Sequence, residues 1–110
     1  MKLKEIMTRD VEVIYPDDSL QAAAQKMRDR DIGFLPVCDG DRLIGVVSDR
    51  DMIVRVIAEG KDPTAMMGRS LVTAPVIYCF EDQDVDEAAR IMQENQIRRL
   101  VILNRDKRLV

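Results

Sequence analysis

Slid along itself by 65 positions, the chain matches: Thr8 falls on Thr73, Val11 on Val76, Asp17 on Asp82, Ala23 and Ala24 on Ala88 and Ala89, Met27 on Met92, Ile32 on Ile97 and Leu35 on Leu100. Conservative pairs lie between these identities, Ile6 with Leu71, Tyr15 with Phe80 and Val37 with Ile102, and one extra loop residue then brings Leu43 onto Leu109. A period of this size marks a duplicated structural unit. In 110 residues two such units cannot each bury a core of ordinary depth, so the expectation is one domain in which two small motifs share a core.

Within the first copy, "VEVI" at 11–14 alternates like a half-buried strand and "YPDD" closes it with proline and two turn-forming acids. A helix follows, capped by Asp18 or Ser19, with Leu20, Ala23, Ala24 and Met27 on one apolar stripe. "FLPVC" at 34–38 and "LIGVVS" at 43–48 read as a hairpin about "DGD". From Asp49 to about Glu59 a second helix turns Met52, Val56 and Ile53 inward and stops at Gly60. The connector 60–70 is rich in turn formers, and its Met66 and Met67 are expected to pack. The first copy then spans 1–59 as strand, helix, strand, strand, helix. The second spans 71–110, repeats strand, helix (from Asp84, with Val85, Ala88, Ala89 and Met92) and strand, and stops at Val110 as its third strand begins, without a counterpart of "GVVSDRD".

Composition removes several classes of function. With 20 acidic against 17 basic residues, the net charge of −3 opposes a nucleic-acid binder, which needs a basic surplus. No apolar run is long enough to cross a membrane and the N-terminus lacks a signal-peptide core, so the expected compartment is the cytoplasm. The chain has no histidine, which removes Ser-His and Cys-His catalysis and the commonest metal ligand. Cys38 and Cys79 have no CxxC spacing and are expected in the core, leaving no metal site. Asp17-Asp18 and Asp39-Asp41 are turn chemistry. An enzyme is not expected.

One junction stands apart. "GVVSDRD", Gly45 to Asp51, runs a strand straight into a helix start, where free backbone N–H groups collect and an anion can be held. Ser48 as helix cap and Asp51 as a first-turn acid would explain both residues without any ligand. Arg55, four residues after Asp51, reads as its exposed i,i+4 ion-pair partner.

The strings "MTRDV", "IGFLPV", "GDRLIGVVSDRD" and "IRRLVI", in this order and duplicated, resemble the cystathionine β-synthase-type (CBS) domain pair, the Bateman module, over essentially the whole chain. The resemblance implies an α/β fold of tandem β-α-β-β-α motifs packed through their sheets about a pseudo-two-fold axis. It also implies a regulatory, non-catalytic module whose inter-motif cleft binds an adenosine-containing ligand such as AMP, ADP, ATP or S-adenosylmethionine. The family's ribose signature, Gly-x-x-Ser/Thr-x-x-Asp, falls on Gly45, Ser48 and Asp51. Asp51 would then accept both ribose hydroxyls while Ser48 and the nearby N–H groups face phosphate, with help from Arg50. The rest of that pocket would be Gly33, Phe34 and Pro36 from the first copy and Thr73, Ala74, Pro75 and Val76 from the second. A weaker, pseudo-symmetric site would use Thr8 and Val11 with Arg98 and Arg99, a pair that reads equally as a solvated strand edge.

No cofactor is required on this view; the adenosine nucleotide is a regulatory ligand, and the signal passes either to a separate effector protein or to the rest of a longer chain of which this is a part. The alternative is a ligand-independent scaffold, since family modules commonly pair through their helices into homodimers.

Overall fold

The computed structural model describes residues 1–7, 11–71, 76–97 and 99–110, which divide into two units. One is continuous, Glu12–Val76; the other joins Met1–Val11 to Ile77–Val110.

In the continuous unit the expected strand at 11–14 shrinks to one bridge. Ile14 pairs in parallel with Val37, its N–H donating to the Pro36 carbonyl at 3.0 Å and its carbonyl accepting from Cys38 N–H at 2.9 Å. Pro16 comes two residues later, and the chain turns at once: the Asp18 carboxylate accepts from Tyr15 N–H at 2.8 Å. Asp18 thus closes the turn, and the helix cap falls to Ser19, whose hydroxyl accepts from Ala22 N–H at 3.0 Å. Helix α1, Leu20–Arg30, buries Leu20, Ala23 and Met27, while Ala24 lies outside the stripe and is exposed.

Strands β1, Phe34–Asp39, and β2, Arg42–Ser48, form an antiparallel hairpin with Phe34 opposite Ser48. The turn between them is made at Gly40, whose φ of 66° suits glycine. Helix α2, Asp49–Met52, follows β2 without a break and loosens into a π-helical turn, Ile53–Ile57. Met52 and Val56 face the core as expected, but Ile53 points out and is 61% exposed. Around Ile14, Leu20, Leu35, Val37, Val47 and Leu71, side chains from α1, both strands, α2 and the π-helical turn meet. Cys38, next to Val37 on β1, is buried too, and burial, with the charge of Asp41 second, pushes its thiol up to about 11.

In the discontinuous unit, β3, Tyr78–Phe80, pairs in parallel with β4, Val101–Leu103, and α3, Val85–Asn95, lies between them in the chain. The α3 stripe buries Ala88 and partly buries Val85 and Met92; Ala89 is exposed. Cys79 is buried beside Leu3 and Ala88, and its thiol too is raised by burial. Asp82 and Arg105 join by a forked pair at 2.8 to 3.1 Å, and the Arg105 guanidinium lies 4.2 Å from the centre of the Phe80 ring.

The repeat extends to individual hydrogen bonds. Leu3–Glu5 and Gly68–Ser70 each form a short 3-10 turn. In the first, Leu3 N–H donates to the Gln83 carbonyl at 2.9 Å; in the second, Gly68 N–H donates to the Asp18 carbonyl at 2.7 Å. Lys2 bridges to Asp84 as Met67 bridges to Ser19. The segment leading into the first copy therefore packs on the second copy's strand and helix, and the segment leading into the second packs on the first. Met66 is half-buried against the core, whereas Met67 is exposed. The volumes compensate as well. Where one unit packs Leu3 with the small Cys79, the other sets Ile14 against Gly68, and a Cβ on Gly68 would sit 3.0 Å from Ile14 Cδ1.

Candidate functional site

The β2–α2 junction is assembled by the hairpin. Because Ser48 ends β2 opposite Phe34, the helix start is carried to the beginning of β1, and Asp49 N–H donates to the Gly33 carbonyl at 2.9 Å. Ser48, in extended conformation at φ −112° and ψ 160°, caps α2: its Oγ accepts from Asp51 N–H at 3.1 Å and donates to Asp51 Oδ2 at 3.0 Å. The Asp51 side chain, half-buried, is thus oriented through both its backbone and its carboxylate. Pro36 is buried two residues further along β1, opposite Val46; Phe34 and Gly33 are half-buried.

One expectation fails here. The helix start was read as a store of free N–H groups for phosphate, yet each of its first three amides has an acceptor within the protein. Asp49 N–H goes to the Gly33 carbonyl, Arg50 N–H to Asp49 Oδ1 at 2.8 Å, and Asp51 N–H to Ser48 Oγ. The physical reason is the hairpin register, which supplies a backbone carbonyl beside the cap, and an Asp directly after the cap, which folds back on its neighbour.

The sequence reading also missed Asp49. Its carboxylate lies against the backbone of Gly33, where a Cβ would stand 2.5 Å from Asp49 Oδ2 and 2.9 Å from Cγ. Asp49 is exposed and this is the free end of its side chain, so a side chain at position 33 could displace it cheaply; the φ of Gly33 is not positive. The signal available in the sequence was a glycine just before one strand of a hairpin and an acid just after the other. Arg50 is exposed. Arg55 donates to the Leu71 carbonyl at 3.4 Å, a partner that spacing along the helix did not suggest.

Of the other expected residues, Val76 is half-buried in the same unit, while Thr73, Ala74 and Pro75 lie outside the described residues. For the weaker site, Val11 and Arg99 are exposed and belong to the other unit; Thr8 and Arg98 lie outside the described residues. Among the described residues no three Cys, Asp or Glu side chains gather as a metal-ligand set, and no helix is long and apolar enough to cross a membrane.

Two related units, helix, hairpin and helix in one and strand, helix and strand in the other, with a capping serine and a first-turn acid at the hairpin's exit, share the architecture of a CBS pair. The family model of the CBS domain matches residues 3–58 and again 69–110, and the chain belongs to the CBS domain family. Among curated relatives, Hypoxic response protein 1 of Mycobacterium tuberculosis is 36% identical over 108 residues, covering 97% of this chain and 75% of the relative. A crystal structure of Hypoxic Response Protein I, with two coordinated zinc ions, superposes with a TM-score of 0.89 at 33% identity, over 99% of this chain and 89% of that one. A CBS domain protein from Pyrobaculum aerophilum complexed with AMP superposes at 0.85 and 23% identity, over 100% of this chain and 84% of that one, and shares the fold.

Proposed function

We propose that this chain is a regulatory module that senses an adenosine-containing ligand, with Asp51 accepting the ribose hydroxyls and Ser48 holding that carboxylate in place. The observation that carries it is the Ser48 Oγ to Asp51 Oδ2 hydrogen bond of 3.0 Å on a half-buried acid at the exit of β2. A carboxylate offers about four lone-pair positions on two oxygens, the acceptor chemistry that a vicinal diol needs. Gly33, Phe34, Pro36, Thr73, Pro75 and Val76 would complete the pocket, offering backbone and apolar surface suited to a purine. Arg50 is the cation at hand for an acidic substituent. Thr8, Val11, Arg98 and Arg99 would form the second, weaker site. The AMP complex of the same fold from Pyrobaculum aerophilum supports the ligand class. On this view the module has no catalytic role and works in the cytoplasm on a separate effector protein, and ligand acts by favouring one arrangement of the copies over another.

The test is a thermal-melting screen of AMP, ADP, ATP and S-adenosylmethionine on the parent and on Asp51→Ala. Saturable stabilisation of the parent, lost in the variant, is expected. An equal shift in both would remove Asp51 from the site.

A second function is favoured by one observation. Ile53, Val54 and Ile57, on the outer side of the helix after β2, are 61%, 50% and 60% exposed. Such a patch suits pairing with a second copy, and a scaffold that dimerises through it needs no ligand. Light scattering on the parent and on Ile53→Glu separates the cases: a dimer that becomes a monomer, with no nucleotide response in either protein, supports the scaffold.

A further inference from the structure

The two copies fasten equivalent segments by different means. The boundaries between the units fall at matching places in the repeat, Val11 to Glu12 and Val76 to Ile77, and the residues just after each carry the chain into a unit. In the second copy this entry continues as β3, where Tyr78, Cys79 and Phe80 pair with Val101, Ile102 and Leu103. The matching residues of the first copy are Val13, Ile14 and Tyr15 against Pro36, Val37 and Cys38, and there the pairing is confined to Ile14 and Val37. Pro36 supplies part of the reason. A parallel ladder continued toward Glu12 would draw on the N–H of residue 36; proline has none, whereas Val101 at the equivalent place has one.

Charge holds this entry instead. Lys26, on α1, donates from Nζ to the Val13 carbonyl at 2.7 Å and lies 3.7 Å from Glu12 Oε1. Arg30, one turn further along α1, lies 3.5 Å from Glu12 Oε2. In the second copy Ile77 and Ile91 take the places of Glu12 and Lys26, and Asn95, whose side chain bonds back to the Ile91 carbonyl at 2.8 Å, takes that of Arg30. The charged set therefore belongs to one entry and has no counterpart in the other.

We propose that Lys26, with Glu12 and Arg30, is a latch that keeps the entry of the continuous unit closed on α1 and β1. Removing or screening its charge releases Glu12 and Val13 and frays the bridge at Ile14, while β3 and β4 stay paired. The Lys26 and Glu12 side chains are 34% and 32% exposed, so salt reaches the ion pair. The device is independent of any ligand: it makes one of two like entries responsive to its ionic surroundings.

The test is amide hydrogen exchange on the whole chain, read at Ile14 and Cys38. Their N–H groups donate to the Pro36 and Ile14 carbonyls at 3.0 and 2.9 Å and lose those acceptors when the entry lets go. Lys26→Met keeps an unbranched stem and removes the charge and the donors. It is expected to speed exchange at Ile14 and Cys38 by about tenfold, the worth of one charge-assisted hydrogen bond, and to leave the amides of β3 and β4 within about twofold. Lys26→Arg, which keeps charge and donors, should retain most of the protection. Salt gives a second reading on the parent alone, which decides the matter if Lys26→Met does not fold: raising it should speed the same two amides ahead of β3 and β4. Uniform acceleration along the chain, equal loss in Lys26→Met and Lys26→Arg, or no change at Ile14 and Cys38 overturns the latch.

Discussion

Ser19 and Ser48 are the same residue in the same local position, each accepting a first-turn N–H, and only Ser48 also bonds an acid. Replacing either by alanine is expected to remove about 1 kcal/mol of stability, or about 4–8 °C of melting temperature in a domain of this size. Ser48→Ala alone should further weaken adenosine binding, because Asp51 loses the hydroxyl that orients it; calorimetric titration beside unfolding curves separates the two effects. A second residue-scale effect concerns acid. The Arg105 hydrogen bonds, and then its charge, hold the Asp82 carboxyl below the usual range. A depressed carboxylate stabilises the folded state above its unfolded value near 4, and that contribution is lost as pH falls through the folded value. The melting difference between the parent and Arg105→Gln should therefore be present at pH 7 and vanish on acidification. A difference that persisted in acid would mean that Arg105 acts through its stacking on Phe80.

At the scale of elements, three helical segments end alike. Asp31, Gln96 and Gly60 adopt φ of 53°, 53° and 71°, and each is followed by an N–H that reaches back five residues, as Ile32 does to Met27, Ile97 to Met92 and Lys61 to Val56. Only Gly60 adopts the left-handed conformation without a Cβ penalty. Gln96→Gly and Asp31→Gly are expected to stabilise by up to about 1 kcal/mol, and Gly60→Ala to destabilise by a similar amount, in denaturant unfolding. Three results of the same sign would show that these ends are not the strained positions their angles imply.

The whole molecule is organised by exchange: Leu3 is buried with Cys79 and Ala88, and Leu71 with Ile14 and Leu20. Each is a long way in sequence from part of its cluster, so each ties a lead-in segment to the other copy. Leu3→Ala and Leu71→Ala are each expected to cost about 2–5 kcal/mol. Native-state hydrogen exchange should show where. Leu3→Ala is expected to speed exchange in β3, α3 and β4 ahead of the β1–β2 hairpin, and Leu71→Ala the reverse. Uniform acceleration in both variants would mean that the units open together.

Local and periodic information was legible in the residues themselves. The repeat, the apolar stripes of α1 and α3, the hairpin about Gly40, the glycine end at Gly60, the burial of both cysteines and the CBS pattern through Ser48 and Asp51 all follow from signals carried within a few residues or repeated at a fixed interval. What tertiary structure decided were partners distant along the chain. The strand expected at 11–14 is reduced to Ile14, because only that residue meets Val37 before Pro16 turns the chain. The amides expected to be free at the start of α2 instead find acceptors in the Gly33 carbonyl that the hairpin brings, in the Asp49 carboxylate and in the Ser48 hydroxyl. An N–H group's need for an acceptor is written in every residue, but which acceptor meets it depends on where folding sets the rest of the chain.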